Sequence, residues 1–191
     1  MEAKFFQGNR KKLYDSLPDN TLLIMSAGSC VRKTADENYL FYADRSFLYM
    51  TGIEQEKTIL MVEKENGNVV ETLYVLPPDM LAERWTGTRL KPEEVTAISG
   101  VENIAWLGDW EEKVKALIRG GHFERVAMYL YKHDPEDADT DNIKIARSLR
   151  HGTRASCSRT FPDRFAVSAR SSSHAKSQQS RKLLRLLEMV S

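Results

Sequence analysis

The chain has 191 residues, of which 41% are hydrophobic and 9% aromatic, which is enough for one folded domain and excludes a wholly disordered chain. Lys and Arg number 28 against 27 Asp and Glu, so the formal net charge of +1 predicts no general attraction to nucleic acid or to anionic membranes. No stretch approaches the ~20 apolar residues of a membrane-spanning helix, and the N-terminus lacks the apolar core of a signal peptide. We therefore expect a cytoplasmic protein.

The first predicted element is a helix over residues 4–17. Its apolar positions, which include Phe6 and Leu13, recur at helical spacing against a basic group at residues 10–12. Pro18 ends the segment, because proline cannot continue a helix without losing a backbone hydrogen bond.

Several strands are predicted next. The unbroken apolar run at residues 21–25 is typical of a strand buried on both faces. Residues 47–50 are predicted to form an aromatic strand that ends in a glycine turn. Residues 57–63 and 69–76 flank Asn66-Gly67, a pair that adopts the positive backbone angles of a tight hairpin turn, so these two strands are expected to be antiparallel neighbours.

The remaining elements alternate between helices and strands, with proline, glycine and acidic residues at their ends. This alternation predicts an α/β fold with a mixed β-sheet and flanking helices. In chain order the elements are a helix from Asp79 through Trp85, a helix opened by Lys91 and Pro92, a strand at 103–107, a helix that Asp109 begins and Gly120 ends, a strand at 125–131 and a helix at 141–150.

The end of the chain has a different composition. Residues 164–181 are rich in Ser, Arg, Gln and Lys, which is typical of a linker, and residues 181–190 have the pattern of a basic amphipathic helix. Cys30 and Cys157 are far apart and form no CxxC pair. They are either two free thiols in a reducing compartment or one long-range disulfide.

No catalytic motif is present. The four histidines (His122, His133, His151 and His174) are not paired with other ligands at metal-binding spacing, and surface positions are expected for them. The acidic run at residues 134–141 lacks the glycine and the closing glutamate of a calcium loop. The sequence therefore predicts no catalytic residue and no metal ligand in this chain.

Trp85 and Arg89 lie on either side of Gly87 in an E-x-W-x-G-x-R segment. One interpretation makes Trp85 a core residue and Arg89 a solvated charge, and composition alone favours it. The other makes both residues a surface that contacts a further site, because tryptophan and arginine are enriched in such contacts.

The order of these segments resembles the N-terminal domain of Xaa-Pro aminopeptidase (aminopeptidase P), which the creatinase and prolidase group shares. The resemblance covers about residues 4–163 and depends on the basic group at residues 10–12, the F-x-Y-x-T-G pattern at residues 47–52 and the E-x-W-x-G-x-R segment. It implies an α/β domain that precedes a "pita-bread" metallopeptidase domain. There, two Asp, one His and two Glu bind two divalent ions, commonly manganese, which activate the water that cleaves the bond before a proline.

The resemblance also implies roles for two residues. In related enzymes the tryptophan that matches Trp85 reaches into the substrate pocket of another subunit, so the full-length enzyme is expected to be a homo-oligomer acting on peptides with proline in the second position. Trp85 would then form an apolar wall of that pocket. Arg89 would hold the loop or meet a carboxylate.

The predicted organisation is an aminopeptidase P N-terminal domain at residues 1–163 and a linker-like or frame-shifted tail at residues 164–191, with the metallopeptidase domain absent. We expect a truncated Xaa-Pro aminopeptidase of this kind to bind no metal and to hydrolyse nothing alone. Two alternatives stay open at this point: a free-standing protein-interaction module, and a fragment of a prolidase-type or creatinase-type enzyme.

Overall fold

The structure, a computed structural model, describes residues 2–156, with side chains as far as residue 150. The predicted tail, Cys157 and His174 lie outside the described residues, and so does the side chain of His151. The helices and strands are α1 (Ala3–Ser16), β1 (Thr21–Ser26), α2 (Arg45–Thr51), β2 (Ile59–Glu65), β3 (Asn68–Val75), α3 (Met80–Thr86), α4 (Pro92–Ser99), β4 (Asn103–Trp106), α5 (Trp110–Gly120), β5 (Arg125–Met128) and α6 (Asp141–Ser156).

The five strands form one mixed sheet in the order β4-β3-β2-β1-β5. β1 and β3 each pair antiparallel with β2, whereas β5 runs parallel to β1 and β4 runs parallel to β3. Asn66 and Gly67 have φ angles of 51° and 78°, as the predicted tight turn between β2 and β3 requires. Every residue of β1 is buried. The predicted mixed α/β sheet and its hairpin are confirmed.

Helices cover both faces of the sheet, and the alternation of side chains along β1 divides the core accordingly. Leu23 and Met25 belong to a cluster with residues of α1, α2 and α4. Leu22 and Ile24 belong to a second cluster with residues of α5 and α6. A strand of this kind is apolar at every position because consecutive side chains point to opposite, equally covered faces.

The prediction of a strand at residues 47–50 is wrong, because these residues lie in helix α2. The Asp44 carboxylate caps the helix by accepting a 3.0 Å hydrogen bond from the Phe47 amide. Phe47 and Met50, three positions apart, are buried on one helical face, and Gly52 ends the helix in the left-handed conformation with φ 70°. A short aromatic run fits either a strand or a helix, and here the cap and the packing decide in favour of the helix.

Helix α1 is attached to the domain by a buried arginine. Arg10 is 1% exposed, although it lies in the basic group predicted for the polar face of the helix. Its Nη1 donates hydrogen bonds of 2.9 Å to the carbonyl oxygens of Met50 and Ser99, at the ends of α2 and α4. The last carbonyls of a helix have no partner inside it, and the dipole makes that end negative, so a guanidinium is well suited to join the two ends.

A carboxylate from the sheet completes this contact. Arg10 forms a two-pronged ion pair with Glu71 on β3, with N–O distances of 2.8 and 3.1 Å. The Tyr14 hydroxyl donates a 2.7 Å hydrogen bond to the same carboxylate. Burial, reinforced by the charge of Glu71, raises the pKa of Tyr14 well above its ordinary value. We call Arg10, Tyr14 and Glu71 the α1 anchor.

Candidate functional site

The chain emerges repeatedly from one edge of the sheet. The register pairs Ser26 at the end of β1 with Ile59 at the start of β2. It also pairs Val75 at the end of β3 with Trp106 at the end of β4. Met128 at the end of β5 pairs with Ile24, two residues before the end of the parallel strand β1. The segments that follow these strands therefore start side by side, as the loops of ligand sites in α/β sheets do.

Most of the exposed large apolar side chains of the described residues belong to segments at this edge. Phe5, Val69 and Val70 are the described exceptions. Exposed apolar side chains that recur on neighbouring segments are typical of a surface that contacts another molecule or domain. The side chains at this edge are Val31, Tyr39, Leu40 and Tyr42 before α2, Met80, Leu81 and Trp85 in α3, Trp106 at the end of β4 and Tyr131 after β5.

Trp85 is the most exposed residue of this set, at 87%. It lies near the end of α3, a helix of seven residues in which none is buried. The interpretation of Trp85 as a core residue is therefore wrong. The predicted short helix from Asp79 through Trp85 is confirmed, but it carries its indole on the outside of the domain.

Local hydrogen bonds stabilise α3 in the absence of burial. The Asp79 carboxylate accepts bonds of 3.1 and 3.0 Å from the amides of Leu81 and Ala82. In return, the Glu83 carboxylate accepts a 3.0 Å bond from the Asp79 amide, which completes a reciprocal cap. The bond from the Ala82 amide, followed by the Leu81 bond and the charge of Arg89, lowers the pKa of Asp79.

Arg89 lies half-buried beyond the end of the helix. Its Nη1 donates a hydrogen bond to the carbonyl oxygen of Pro77, the residue at which the segment leaves β3. The next residue, Leu90, donates its amide hydrogen to Gln55 Oε1 at 2.7 Å. Arg89 and Gln55 together close residues 77–90 into a loop, which we call the Trp85 loop. Sequence reasoning missed Gln55, because no local pattern marks a glutamine that binds a backbone amide 35 positions away.

The described residues offer no metal site. Between residues 2 and 150, no group of three or more His, Cys, Asp or Glu side chains is placed to hold a metal ion. His122 and His133 are exposed. In the acidic run, Asp139 pairs with Lys132 and Arg147, and Asp141 pairs with Lys144, so these carboxylates bind cationic side chains rather than converging on one point.

Other reactive groups near this edge are also committed to protein contacts. The Ser29 hydroxyl donates a 2.5 Å hydrogen bond to Asp141, which ties the loop after β1 to α6. Burial raises the pKa of the Cys30 thiol, and a hydrogen bond to Glu56 adds to the effect. A thiol with a raised pKa is a weaker nucleophile at neutral pH. The edge therefore presents an apolar surface and a constrained loop.

A model of the family "Aminopeptidase P, N-terminal domain" matches residues 6–126. The chain belongs to this family. The match spans the strands of the sheet from β1 to the start of β5 and includes the α1 anchor and the Trp85 loop.

Relatives support the same assignment. The chain is 23% identical over 150 residues to the Xaa-Pro aminopeptidase of Escherichia coli, a match that covers 78% of this chain and 33% of the relative. It is 37% identical over 142 residues to the mitochondrial Intermediate cleaving peptidase 55 of Arabidopsis thaliana, covering 74% of this chain and 28% of the relative. The chain thus spans about a third of the length of the curated relatives it matches.

A solved structure assigned as aminopeptidase P from Bacillus anthracis has the same fold. It superposes with a TM-score of 0.75 at 30% identity, over 79% of this chain and 36% of the other. Aminopeptidase P from E. coli with the inhibitor Pro-Leu superposes with a TM-score of 0.64 at 23% identity, over 81% of this chain and 34% of the other. The resemblance on which the sequence interpretation depended is confirmed, and the free-standing interaction module is not favoured.

No helix of residues 2–156 is long and apolar enough to cross a membrane.

Proposed function

We propose that this chain is the accessory N-terminal domain of a metal-dependent peptidase that removes an N-terminal residue preceding a proline. The observation that carries the proposal is the likeness to aminopeptidase P from B. anthracis, which covers 79% of this chain but only 36% of that one. The relatives named Xaa-Pro aminopeptidase point to a peptide substrate with proline in the second position. Homo-oligomerisation of the full-length enzyme and a cytoplasmic location are part of the proposal, although one relative is named as mitochondrial.

The donor set of the described domain does not fit the two metal ions of the parent enzyme, for which we propose manganese. The histidines with described side chains are exposed, and the carboxylates after β5 pair with Lys and Arg. In the parent enzyme the metal ions supply an activated water when bound. We assign that chemistry to residues other than 2–150 and no step of it to this domain.

Purified chain incubated with an Xaa-Pro-Xaa peptide and Mn²⁺ is the first test. We expect no release of the first residue under conditions in which the E. coli Xaa-Pro aminopeptidase releases it, because the described residues form no metal site. Metal-dependent release by this chain alone would contradict the proposal.

Trp85 and Arg89 are the proposed contributions of this domain to the substrate pocket. The exposed indole of Trp85 supplies an apolar wall of the pocket. Such a wall favours a proline ring through its shape and through apolar contact. Arg89 either holds the loop that carries the indole or meets a carboxylate of the peptide.

A chimera tests the role of Trp85. Residues 2–156 replace the matching N-terminal region of the E. coli Xaa-Pro aminopeptidase, and the chimera is assayed with an Xaa-Pro-Xaa peptide. We expect Trp85→Ala to raise KM about tenfold, because an apolar aromatic contact is worth roughly 1.5 kcal/mol. Trp85→Phe should retain most of the affinity. Trp106→Ala, at a half-exposed tryptophan of the same edge, is the matched control. Equal KM values for the two alanine variants would exclude Trp85 from the pocket.

The domain boundary is also part of the proposal, with residues 1–163 as the domain and residues 164–191 as a linker-like or frame-shifted tail. DNA sequence around the gene tests the frame shift. Catalytic-domain codons in another frame or downstream would support it, and their absence would overturn it.

A further inference from the structure

We propose that Arg89 and Gln55 are positioning residues: they fix the base of the Trp85 loop, so that an indole outside the core keeps one orientation. This inference depends on the proposed role of Trp85 and decides between the two roles of Arg89. The guanidinium acts through Trp85 by holding the loop.

The first step is the energetics of α3. Isolated helices shorter than about 12 residues are marginal in water, because nucleation costs more than a few hydrogen bonds return. α3 has seven residues, and none of them is buried against the core. The reciprocal cap between Asp79 and Glu83 stabilises the helix internally, but it does not attach the helix to the domain.

The second step is the attachment, which lies at the two ends of the loop. At the first end, the Pro77 carbonyl accepts a hydrogen bond from Arg89 Nη1, so the side chain ties the exit from β3 to the return of the chain. At the second end, the Leu90 amide donates to Gln55 Oε1, in the segment between α2 and β2. α2 belongs to the side of the domain that the α1 anchor holds. The Trp85 loop is thereby connected to the segment that follows α2.

The third step concerns what Arg89 is free to do. One Nη of its guanidinium is engaged by the loop, and its charge lies close enough to Asp79 to help lower the pKa of that capping carboxyl. A guanidinium held between the cap and the exit of the same loop favours one loop conformation. Nε and Nη2 keep their donors, the pair with which Arg10 binds Glu71, so direct contact with a substrate carboxylate is the alternative that the tests must exclude.

Amide hydrogen exchange in the full chain tests the inference without any peptide. The Glu83 and Gly87 amides donate within α3, at 2.9 Å to Asp79 and 3.1 Å to Glu83, so their exchange reports opening of the loop. We expect Arg89→Ala and Gln55→Ala each to speed this exchange about fivefold, the effect of losing one net hydrogen bond. Arg89→Lys should restore part of the protection. The Ile24 amide in β1 is the internal reference for global unfolding.

Arg84→Ala is the matched control, because it removes the same charge from an exposed position in α3 itself. We expect it to change the exchange of the Gly87 amide by less than about twofold, in the range of ordinary surface substitutions. If Arg89→Ala has no larger effect than Arg84→Ala, Arg89 does not hold the loop and the inference is wrong.

A double-mutant cycle in the chimera separates positioning from direct substrate contact. If Arg89 acts through Trp85, Arg89→Ala should raise KM in the presence of Trp85 and have little further effect in the Trp85→Ala background. Additive effects would show that Arg89 meets the substrate, which contradicts the inference. If Trp85→Ala itself leaves KM unchanged, the proposed pocket role fails, while faster exchange in Arg89→Ala still shows that the loop is held.

Discussion

The side of the domain that carries α1 and the edge that carries α3 use polar contacts in opposite ways. Around the α1 anchor, a guanidinium 1% exposed, a carboxylate and a phenol join one helix to the ends of two others and to the sheet. In the Trp85 loop, caps and one arginine hold a helix whose tryptophan is 87% exposed. The first arrangement stabilises the domain, whereas the second keeps an apolar side chain available to something outside it.

The comparison indicates where substitutions should affect stability and where they should affect recognition alone. Polar groups that are buried and paired are costly to break, because the remaining partner is left without a hydrogen bond. Polar groups in an exposed loop are screened and replaceable by water, so their loss changes local order.

The largest effect is expected for Arg10→Ala. It leaves the Glu71 carboxylate with the Tyr14 hydroxyl as its side-chain donor and removes the Arg10 donor from the carbonyls of Met50 and Ser99. The free energy of unfolding should fall by about 3 kcal/mol, the lower end of the cost of breaking a buried ion pair, because Glu71 is 25% exposed. Urea denaturation measures this. Lys11→Ala is the control, since Lys11 is exposed and pairs with Asp15 on the helix surface. A loss no larger than that of the control would show that the α1 anchor does not stabilise the domain.

Gly52→Ala should be the next most destabilising change. A Cβ at Gly52 would lie 2.4 Å from Cε2 of the Phe6 ring, and the φ of +70° is unfavourable for any L side chain. Gly67→Ala shares the positive φ, but a Cβ there meets no atom within 4 Å. At Gly67 we expect the free energy of unfolding to fall by about 1 kcal/mol, which is the backbone cost alone. At Gly52 we expect it to fall by roughly 2 kcal/mol or more, because the clash adds to that cost. Equal losses in thermal or urea unfolding would mean that α1 moves aside easily.

Tyr14 predicts an alkaline dependence of stability. Because its pKa is raised on folding from an ordinary 10.0, the folded state retains a proton that the unfolded state loses. The stability contributed by this group is present below pH 10 and falls as the pH rises further, by up to about 1.4 kcal/mol per pH unit. The difference between the urea concentrations that half-unfold the native chain and the Tyr14→Phe variant should become smaller as the pH rises from about 10 to 11. Tyr39→Phe, at an exposed tyrosine, is the matched control.

The smallest effect is expected at Asp79, and it is local. Its pKa is depressed below the ordinary 3.8, so the cap of α3 is complete above that value and is lost as the pH falls through the lower folded pKa. The ¹³Cα shifts of residues 80–86 should lose helical character on acidification, while those of β1 stay native. Asp79→Asn still caps a helix but does not titrate. The same acid change in this variant would exclude Asp79 as its cause.

Some of the candidate site followed from local patterns. The E-x-W-x-G-x-R segment, the cap at Asp79 and the close pairing of Trp85 with Arg89 in sequence were enough to select the Trp85 loop. The direction in which Trp85 faces could not be predicted from the sequence, because a seven-residue helix has too few positions to show which side is buried. The role of Gln55 could not be predicted either, since its partner at Leu90 is distant in sequence.

The sequence by itself determined β1, the β2–β3 hairpin and the starts of α3 and α4, because apolar runs, the Asn66-Gly67 pair and capping residues act over a few neighbouring positions. Only the tertiary structure decided that residues 47–50 are helical, that Arg10 is buried while Lys11 is exposed, and that Trp85 faces outward. Each of these depends on groups brought together across the chain, such as Arg10 with Glu71, 61 positions apart. No local pattern encodes a contact whose partner is placed by the rest of the fold.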